Sequence, residues 1–365
     1  MVIFIYGLGI LECMDVESKI ELITREPTEE IITLEELRLL LESNPRPRHY
    51  IGLEISGLLH LGSLVLTGYK INDLIKAGFR CTVLLADWHT YINDKLHGDW
   101  DTIKRVARYY EDAFKLFCSG VEVRLGSQLY EEYSDYWSDL IRFSKHITLP
   151  RIMRSLTIMG RSEKDKLDFA QLIYPVMQAT DIHALDVDVA HAGIDQRKVH
   201  MLARDVFPKL GWKVPVALHH HLLPGLGEPV KLGLDEDTGM DMKVSSKMSK
   251  SKPHTSIFVH DDEHIIKEKL RRAWCPVDVE GNPVLEMVRH IVFHEYNEFT
   301  VERSAKYGGN ITFTSYKELE DAYRSKRIHP LDLKNAVVYY INRIVEPVRE
   351  YFKSREEILE LLAKQ

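Results

Sequence analysis

An α/β fold is predicted: an open, mostly parallel sheet carrying one insertion, followed by an all-helical C-terminal region. Three observations predict it. Between residues 50 and 86 a short strand-like run, a turn, a helical stretch and a continuous apolar run follow one another. Apolar runs of strand length recur at 187–190 and 214–218. From residue 262 onward the apolar pattern is helical and capped, with no strand-rich stretch. Strands that alternate with helices specify a parallel sheet covered on both faces.

Residues 1–44 read as an N-terminal extension and an acidic, mostly helical lead-in. Thr33 stands three residues before Glu36, the spacing of a capping box, and Pro45 and Pro47 end that helix. Residues 45–224 make the sheet domain. Tyr50-Ile-Gly-Leu-Glu54 is a strand, Ser56-Gly57 a turn, 62–77 a helix stopped by Gly78, and Arg80–Ala86 a buried strand. The resulting β-α-β unit is Rossmann-like. Residues 101–118 repeat an amphipathic pattern through Ile103, Val106, Tyr110 and Phe114. Residues 119–160 are less regular and rich in aromatics (Tyr130, Tyr133, Tyr136, Trp137), which suits an insertion between the halves of the sheet. Residues 225–261, rich in Gly, Lys and Ser, read as a mobile loop and linker, and 262–365 as the helical domain.

Composition narrows the class. The apolar share of 45% and charged share of 28% are those of a soluble globular chain. No apolar run has the roughly 20 residues a membrane span needs, and the apolar start lacks a basic flank, so a cytoplasmic location is expected. Four scattered cysteines form no Cys-x-x-Cys pair, so neither a disulfide framework nor a protein-held metal is expected. The net charge of −7 arises in residues 1–42, with ten acidic and three basic side chains; the rest balances. Overall acidity therefore does not exclude a nucleic-acid partner bound through local basic patches.

Two short motifs carry the chemistry. His60-Leu61-Gly62-Ser63 falls at the strand-to-helix turn, where an open α/β sheet binds nucleotides. Lys247-Met248-Ser249-Lys250-Ser251 lies far downstream in the predicted loop. Alone, the first is an ordinary turn and the second a solvated loop. Together they suit ATP activation. Gly52 and Gly62 let a nucleotide approach the backbone, His60 donates to a phosphate, helix amides favour anions, and Lys247 and Lys250 cover the leaving pyrophosphate. In a helix, Tyr174, Gln178 and Asp181 fall at i, i+4 and i+7 and share one face. A phenol, an amide and a carboxylate on a face that packs against a sheet imply a polar ligand, or else a set of satisfied core hydrogen bonds. Gln196 can face the same pocket while Arg197 and Lys198 face outward.

At this point the chain resembles the tyrosyl-tRNA synthetases of the archaeal and eukaryotic type, which are class I aminoacyl-tRNA synthetases. The resemblance runs over about residues 14–350. It rests on Tyr50–Glu54, Leu84-Leu-Ala-Asp-Trp-His89, Ile173–Gln178, Gly193–Lys198, Lys247-Met-Ser, Cys275-Pro, Tyr307-Gly-Gly309 and His329–Asn335. It implies ATP-dependent activation of tyrosine and transfer to the 3′ end of tRNA, with Mg²⁺ carried by the ATP phosphates. It implies that Tyr50 and Asp181 bind the substrate phenol and that Tyr174, Gln178 and Gln196 hold its amino group. By the same resemblance Gly52, His60, Gly62, Ser63, Lys247 and Lys250 contact ATP. Arg154, Arg197 and Lys198 match acceptor-stem positions, and Tyr307, His329 and Asp332 match anticodon positions. A homodimer through the insertion is implied too.

This sequence departs from the pattern in places. Ser63 replaces the second histidine of the first motif, Ile55 replaces a proline, Lys250 stands where serine is common, and residues 1–13 have no counterpart. Three rivals share parts of the pattern: a tryptophanyl-tRNA synthetase, a small-molecule nucleotidyltransferase, and a catalytically silent paralogue that binds RNA. Tyr50 with Asp181 argues against an indole pocket, the helical C-terminal region against the second, and the intact lysines against the third.

Overall fold

The computed structural model describes residues 14–160 and 166–363. The N-terminal extension 1–13 lies outside the described residues. Six strands form one sheet: β1 (Thr28–Ile32), β2 (Arg48–Leu53), β3 (Arg80–Leu85), β4 (Glu122–Leu125), β5 (Val189–Gly193) and β6 (Val216–His220). Their spatial order is β1-β6-β5-β2-β3-β4, with β1 alone antiparallel. The chain runs from β2 outward to β3 and β4, then returns to the other side of β2 as β5. The crevice between the C-terminal ends of β2 and β5 is thus the switch point, where open α/β sheets bind ligands.

Period-2 alternation along the strands divides the core. Ile51, Val83 and Val189 face one hydrophobic core, which continues into the C-terminal helices. Tyr50, Leu84 and Ala190 face a second core, built with helices Tyr136–Ser144, Phe169–Ala184 and Arg197–Leu210. The polar residues of the predicted pocket belong to this second side.

The lead-in is mostly helical, and between helices Val16–Thr24 and Leu34–Ser43 it also supplies β1, which pairs with β6. Its five residues include two glutamates, so no apolar run marked it. The stretch read as an insertion begins with β4, a four-residue edge strand on β3, before turning helical. Within 225–261 lies a helix, Thr238–Ser246, capped by Asp237. Its apolar residues do not line one face, which is why periodicity missed it. The C-terminal region is mostly helical but carries an antiparallel ribbon, β7 (Phe299–Val301) with β8 (Ile311–Phe313). There Phe299 and Phe313 pair inward while the Thr300 and Thr312 hydroxyls bond at 2.8 Å.

Candidate functional site

The strand β2 sets out the floor of the cleft. Tyr50 and Gly52 are two residues apart and point to the same face. The Tyr50 ring folds back over Gly52, where a Cβ would lie only 2.5 Å from the Tyr50 hydroxyl. Glycine at 52 therefore makes room for the Tyr50 phenol itself. Tyr50 is buried, and burial followed by the nearby Asp181 charge raises its pKa well above the usual value.

Above it runs helix Phe169–Ala184, capped by Asp168. Pro175 lies inside this helix, beyond its first turn, and removes one backbone donor. Tyr174, Gln178 and Asp181 are all buried on its inner face. Asp181 accepts from the Tyr136 hydroxyl at 2.6 Å and from Tyr130 at 3.5 Å, and His89 Nε2 stands 3.9 Å away. Burial lifts the Asp181 pKa to about 7, against the lowering by the two phenols. His89 is kept neutral by burial, which lowers its pKa to about 3. Tyr174 donates to Glu54 at 3.0 Å, and Asn93 donates to the same carboxylate at 2.7 Å. Gln178 and Gln196 meet side chain to side chain at 3.4 Å, and Gln196 is fixed by the Ile158 carbonyl at 2.9 Å. One end of the cleft is therefore a lattice of phenols, amides and carboxylates contributed by five segments.

The other end is built on the turn after β2. His60 caps a π-helical turn, Leu61–Leu66, its Nδ1 accepting from the backbone of Gly62 at 3.1 Å and Ser63 at 3.3 Å. The Ser63 hydroxyl folds back onto the His60 backbone N–H at 2.9 Å. Serine at this position thus completes a cap instead of reaching outward. Burial, with Lys250 and Lys247 nearby, holds the His60 pKa at about 3, so the ring is neutral.

The signature loop closes on this turn. Met248 is buried, and its N–H bonds the Leu223 carbonyl at 2.7 Å. That anchor sends the lysines on either side to separate partners. Lys247 donates to Asp195 at 2.6 Å. Burial opposes the Lys247 charge, yet Asp195 raises its pKa, and Lys247 in turn holds the Asp195 carboxyl below its usual range. Lys250 donates to the Ser56 hydroxyl at 2.8 Å and to the Tyr110 hydroxyl, with its stem 3.6 Å from where a Gly57 Cβ would stand. Gly57 has φ +122°, a conformation that excludes a side chain on backbone grounds alone.

The basic residues expected at an RNA end are dispersed. Arg154 is exposed on helix Leu149–Ser155. Arg197 pairs with Glu30 at 2.9 Å and Lys198 with Asp235 at 2.8 Å. In the C-terminal region Tyr307 is 65% exposed, His329 caps helix Pro330–Phe352 and Asp332 lies in its first turn. Arg303 ties these two places together, donating to the Gly309 carbonyl at 3.0 Å and to the Arg327 carbonyl at 2.8 Å.

Sequence reasoning did not single out Glu54, His89, Tyr130, Tyr136, Ser56 or Tyr110. The tyrosines were visible as an aromatic-rich stretch, but no spacing connects them to Asp181. Glu54 sat inside a quoted segment without a role.

Comparison with known proteins bears on this geometry. Residues 42–346 match the family model of tRNA synthetases class I (W and Y). The tyrosine–tRNA ligase of Thermococcus sibiricus is 48% identical over 96% of this chain and 98% of that protein, and the one of Pyrococcus furiosus is 47% identical over the same shares. The crystal structure of a Pyrococcus horikoshii tyrosyl-tRNA synthetase complexed with L-tyrosine superposes with a TM-score of 0.89. It is 46% identical, over 96% of this chain and 100% of that one. A Plasmodium falciparum tryptophanyl-tRNA synthetase shares the fold, with a TM-score of 0.66 at 16% identity.

Proposed function

Because the chain belongs to the tyrosyl-tRNA synthetases of class I, we propose that the two ends of its cleft divide one task. The reaction is ATP-dependent tyrosine activation followed by charging of tRNA. The tyrosine carboxylate attacks the α-phosphorus of ATP, pyrophosphate leaves, and a ribose hydroxyl of the tRNA end then displaces AMP. The tryptophan alternative is not favoured by relatives of this identity.

The reading of the pocket rests on one observation: Asp181 is a buried carboxyl that accepts from the Tyr136 hydroxyl at 2.6 Å and from Tyr130 at 3.5 Å, near enough to Tyr50 for its charge to add to burial in raising the Tyr50 pKa. A substrate hydroxyl given to Asp181 and Tyr50 completes their hydrogen bonding, whereas phenylalanine leaves a buried acceptor unmatched. This family is itself the standard illustration of that rule. Tyr174, Gln178 and Gln196 receive the amino group, with Glu54 supplying the negative charge behind Tyr174. Gly52, His60 and Gly62 seat the nucleotide, and Ser63 acts there through the turn it closes. Lys247 and Lys250 leave Asp195, Ser56 and Tyr110 for the phosphates, whose charge replaces the lost partners. Mg²⁺ arrives with ATP, since an ion held by substrate phosphates needs few protein ligands.

The tRNA acceptor end displaces the Arg197–Glu30 and Lys198–Asp235 pairs, helped by Arg154. Exposed pairs of this kind contribute only about 0–1 kcal/mol, so the exchange is cheap. Tyr307 stacks on an anticodon base, and His329 and Asp332 read base edges. Exposed Trp137, Ile141 and Leu149 support a homodimer through the segment after β4. Among the described residues no helix is long and apolar enough to cross a membrane, which agrees with work in the cytoplasm.

Amino-acid-dependent ATP–pyrophosphate exchange tests the reading. Exchange with tyrosine and not with phenylalanine or tryptophan is expected. Equal exchange with phenylalanine contradicts the roles given to Tyr50 and Asp181.

A further inference from the structure

Three imidazoles cross the sheet in a diagonal row. His49 on β2, His191 on β5 and His220 at the end of β6 sit on adjacent parallel strands, on the face opposite Tyr50. In register, His49 lies opposite Val189 and His191 opposite Leu218, so each step of the row advances two residues toward the C-terminal ends of the strands. His49 Nε2 stands 3.0 Å from His191 Nδ1, and His191 Nε2 stands 2.8 Å from His220 Nδ1. His49 and His191 are fully buried, and His220 is 7% exposed. The row thus runs from the core to the cleft.

At the cleft the row ends beside Asp195. Gly193 pairs in register with His220, and a Cβ on Gly193 would stand 2.6 Å from Asp195 Oδ1 and 3.6 Å from His220 Nε2. Glycine therefore keeps open the small space that both atoms border. The Asp195 side chain is 9% exposed, and its other oxygen, Oδ2, accepts from Lys247.

The row can hold its protons in only two ways. Burial lowers the His49 pKa to about 3 and the His220 pKa to about 4, and takes His191 well below its usual value, so all three rings are neutral. A neutral ring carries one N–H, and both ring-to-ring bonds form only when all three protons sit on Nε2 or all three on Nδ1. His49 Nδ1 is buried with no hydrogen-bond partner. Protons on Nδ1 would strand an N–H there and turn the bare Nε2 of His220 toward a carboxylate. Protons on Nε2 leave only a lone pair at the buried end and offer Asp195 a donor. A stranded buried N–H is the rarer and costlier defect, and a lone pair facing an anion is repelled. Both ends of the row therefore select the Nε2 arrangement.

We propose that His220 is a positioning residue for the activation step: its Nε2–H takes over Asp195 when Lys247 moves to the phosphates, and His49 and His191 fix the tautomer that makes this possible. The inference rests on the release of Lys247 proposed above. Taking the cation from a buried ion pair leaves an uncompensated charge, which is strongly unfavourable. A donor already bordering the same carboxylate lowers that cost. Being neutral, it adds no second cation to compete with Lys247 for the phosphates. Sequence spacing hides the row, since its members are 142 and 29 positions apart.

Ring nitrogen-15 NMR of the unmodified full chain tests the tautomer, and coupling across the N–H···N bonds links the three rings, so a variant that fails to fold does not block the test. Nε2–H on all three rings is expected. Nδ1–H at His220, or a charged ring in the row at neutral pH, would overturn the proposal. An ATP analogue with a methylene bridge between the α and β phosphorus atoms should shift the His220 Nε2–H downfield as Asp195 accepts it. An unmoved resonance with the analogue bound would overturn the proposal as well. His220→Leu should slow single-turnover adenylate formation by about 10- to 100-fold, the worth of one hydrogen bond to a charged group, with tyrosine affinity unchanged. His220→Gln, which restores a donor near the Nε2 position, should recover most of that rate. A leucine variant as fast as the unmodified chain, or a glutamine variant as slow as the leucine one, would contradict the role. Lys247→Ala keeps the two layers apart: unchanged adenylate formation there breaks the role of Lys247 itself, whereas a slowed Lys247→Ala beside a fast His220→Leu breaks only the part given to His220.

Discussion

The tyrosine end of the cleft and the nucleotide end are built on different plans. At the tyrosine end Asp181, Tyr136, Tyr130, Tyr174 and Glu54 are already hydrogen-bonded to one another, and all but Glu54 are buried. At the nucleotide end the two cations lean on substitutes, Lys247 on Asp195 and Lys250 on Ser56 and Tyr110. A lattice locked by packing is set before the substrate arrives. Lysines held by one carboxylate or by neutral hydroxyls are free to be recruited by phosphate charge. Selectivity is thus preformed on one side and catalytic electrostatics are assembled on the other.

Variants at the two ends should separate these plans. The largest effect is expected for Lys250→Ala, which should slow single-turnover adenylate formation by about 10²- to 10³-fold with tyrosine affinity unchanged. A matching loss of tyrosine affinity would merge the two ends into one unit. Asp181→Asn should cut the preference for tyrosine over phenylalanine by about 10- to 100-fold, the worth of one buried charged hydrogen bond. Steady-state kinetics with both amino acids reads this out.

Acid should damage both ends together, because each holds a neutral buried histidine. His60, His89 and the core residue His49 have folded pKa values of about 3, lowered by burial. The unfolded chain takes up these protons near pH 6.5 while the folded chain does not. Stability is therefore whole above about pH 6.5 and falls as pH drops toward 3, by roughly 2 kcal/mol per histidine at pH 5. Denaturant unfolding between pH 5 and 8 checks the sign. A protein equally stable at pH 5 and 7 would contradict neutral burial.

Two finer changes sharpen the contrast. Tyr136→Phe removes the nearest donor to Asp181 and should raise the carboxyl pKa further, which carbon-13 NMR of labelled aspartate detects. Ser63→Ala removes a cap and should cost about 1 kcal/mol of stability, with little change in exchange. A large catalytic loss in Ser63→Ala would instead give that hydroxyl a direct part with the nucleotide.

What the sequence made legible follows from what is local. The i, i+4, i+7 face of Tyr174, Gln178 and Asp181 is set by helix geometry, and all three are buried toward the cleft as the spacing required. Thr33 and Glu36 cap each other reciprocally, because a capping box needs only four residues. The partners of that face were not legible. Tyr136 and Tyr130 reach Asp181 across more than forty positions, and Glu54 reaches Tyr174 across 120. Such contacts come from how layers stack, which no period within one segment encodes. β1 was hidden for a related reason: its pairing with β6, not its own apolar content, makes it a strand.

The most direct test of the division is tyrosine binding measured by calorimetry without ATP, beside phenylalanine, for the unmodified chain and Lys250→Ala. The account predicts that both proteins bind tyrosine equally and reject phenylalanine before any nucleotide is present. Selectivity that emerges only when ATP is added, or that disappears in Lys250→Ala, would contradict a preformed tyrosine end.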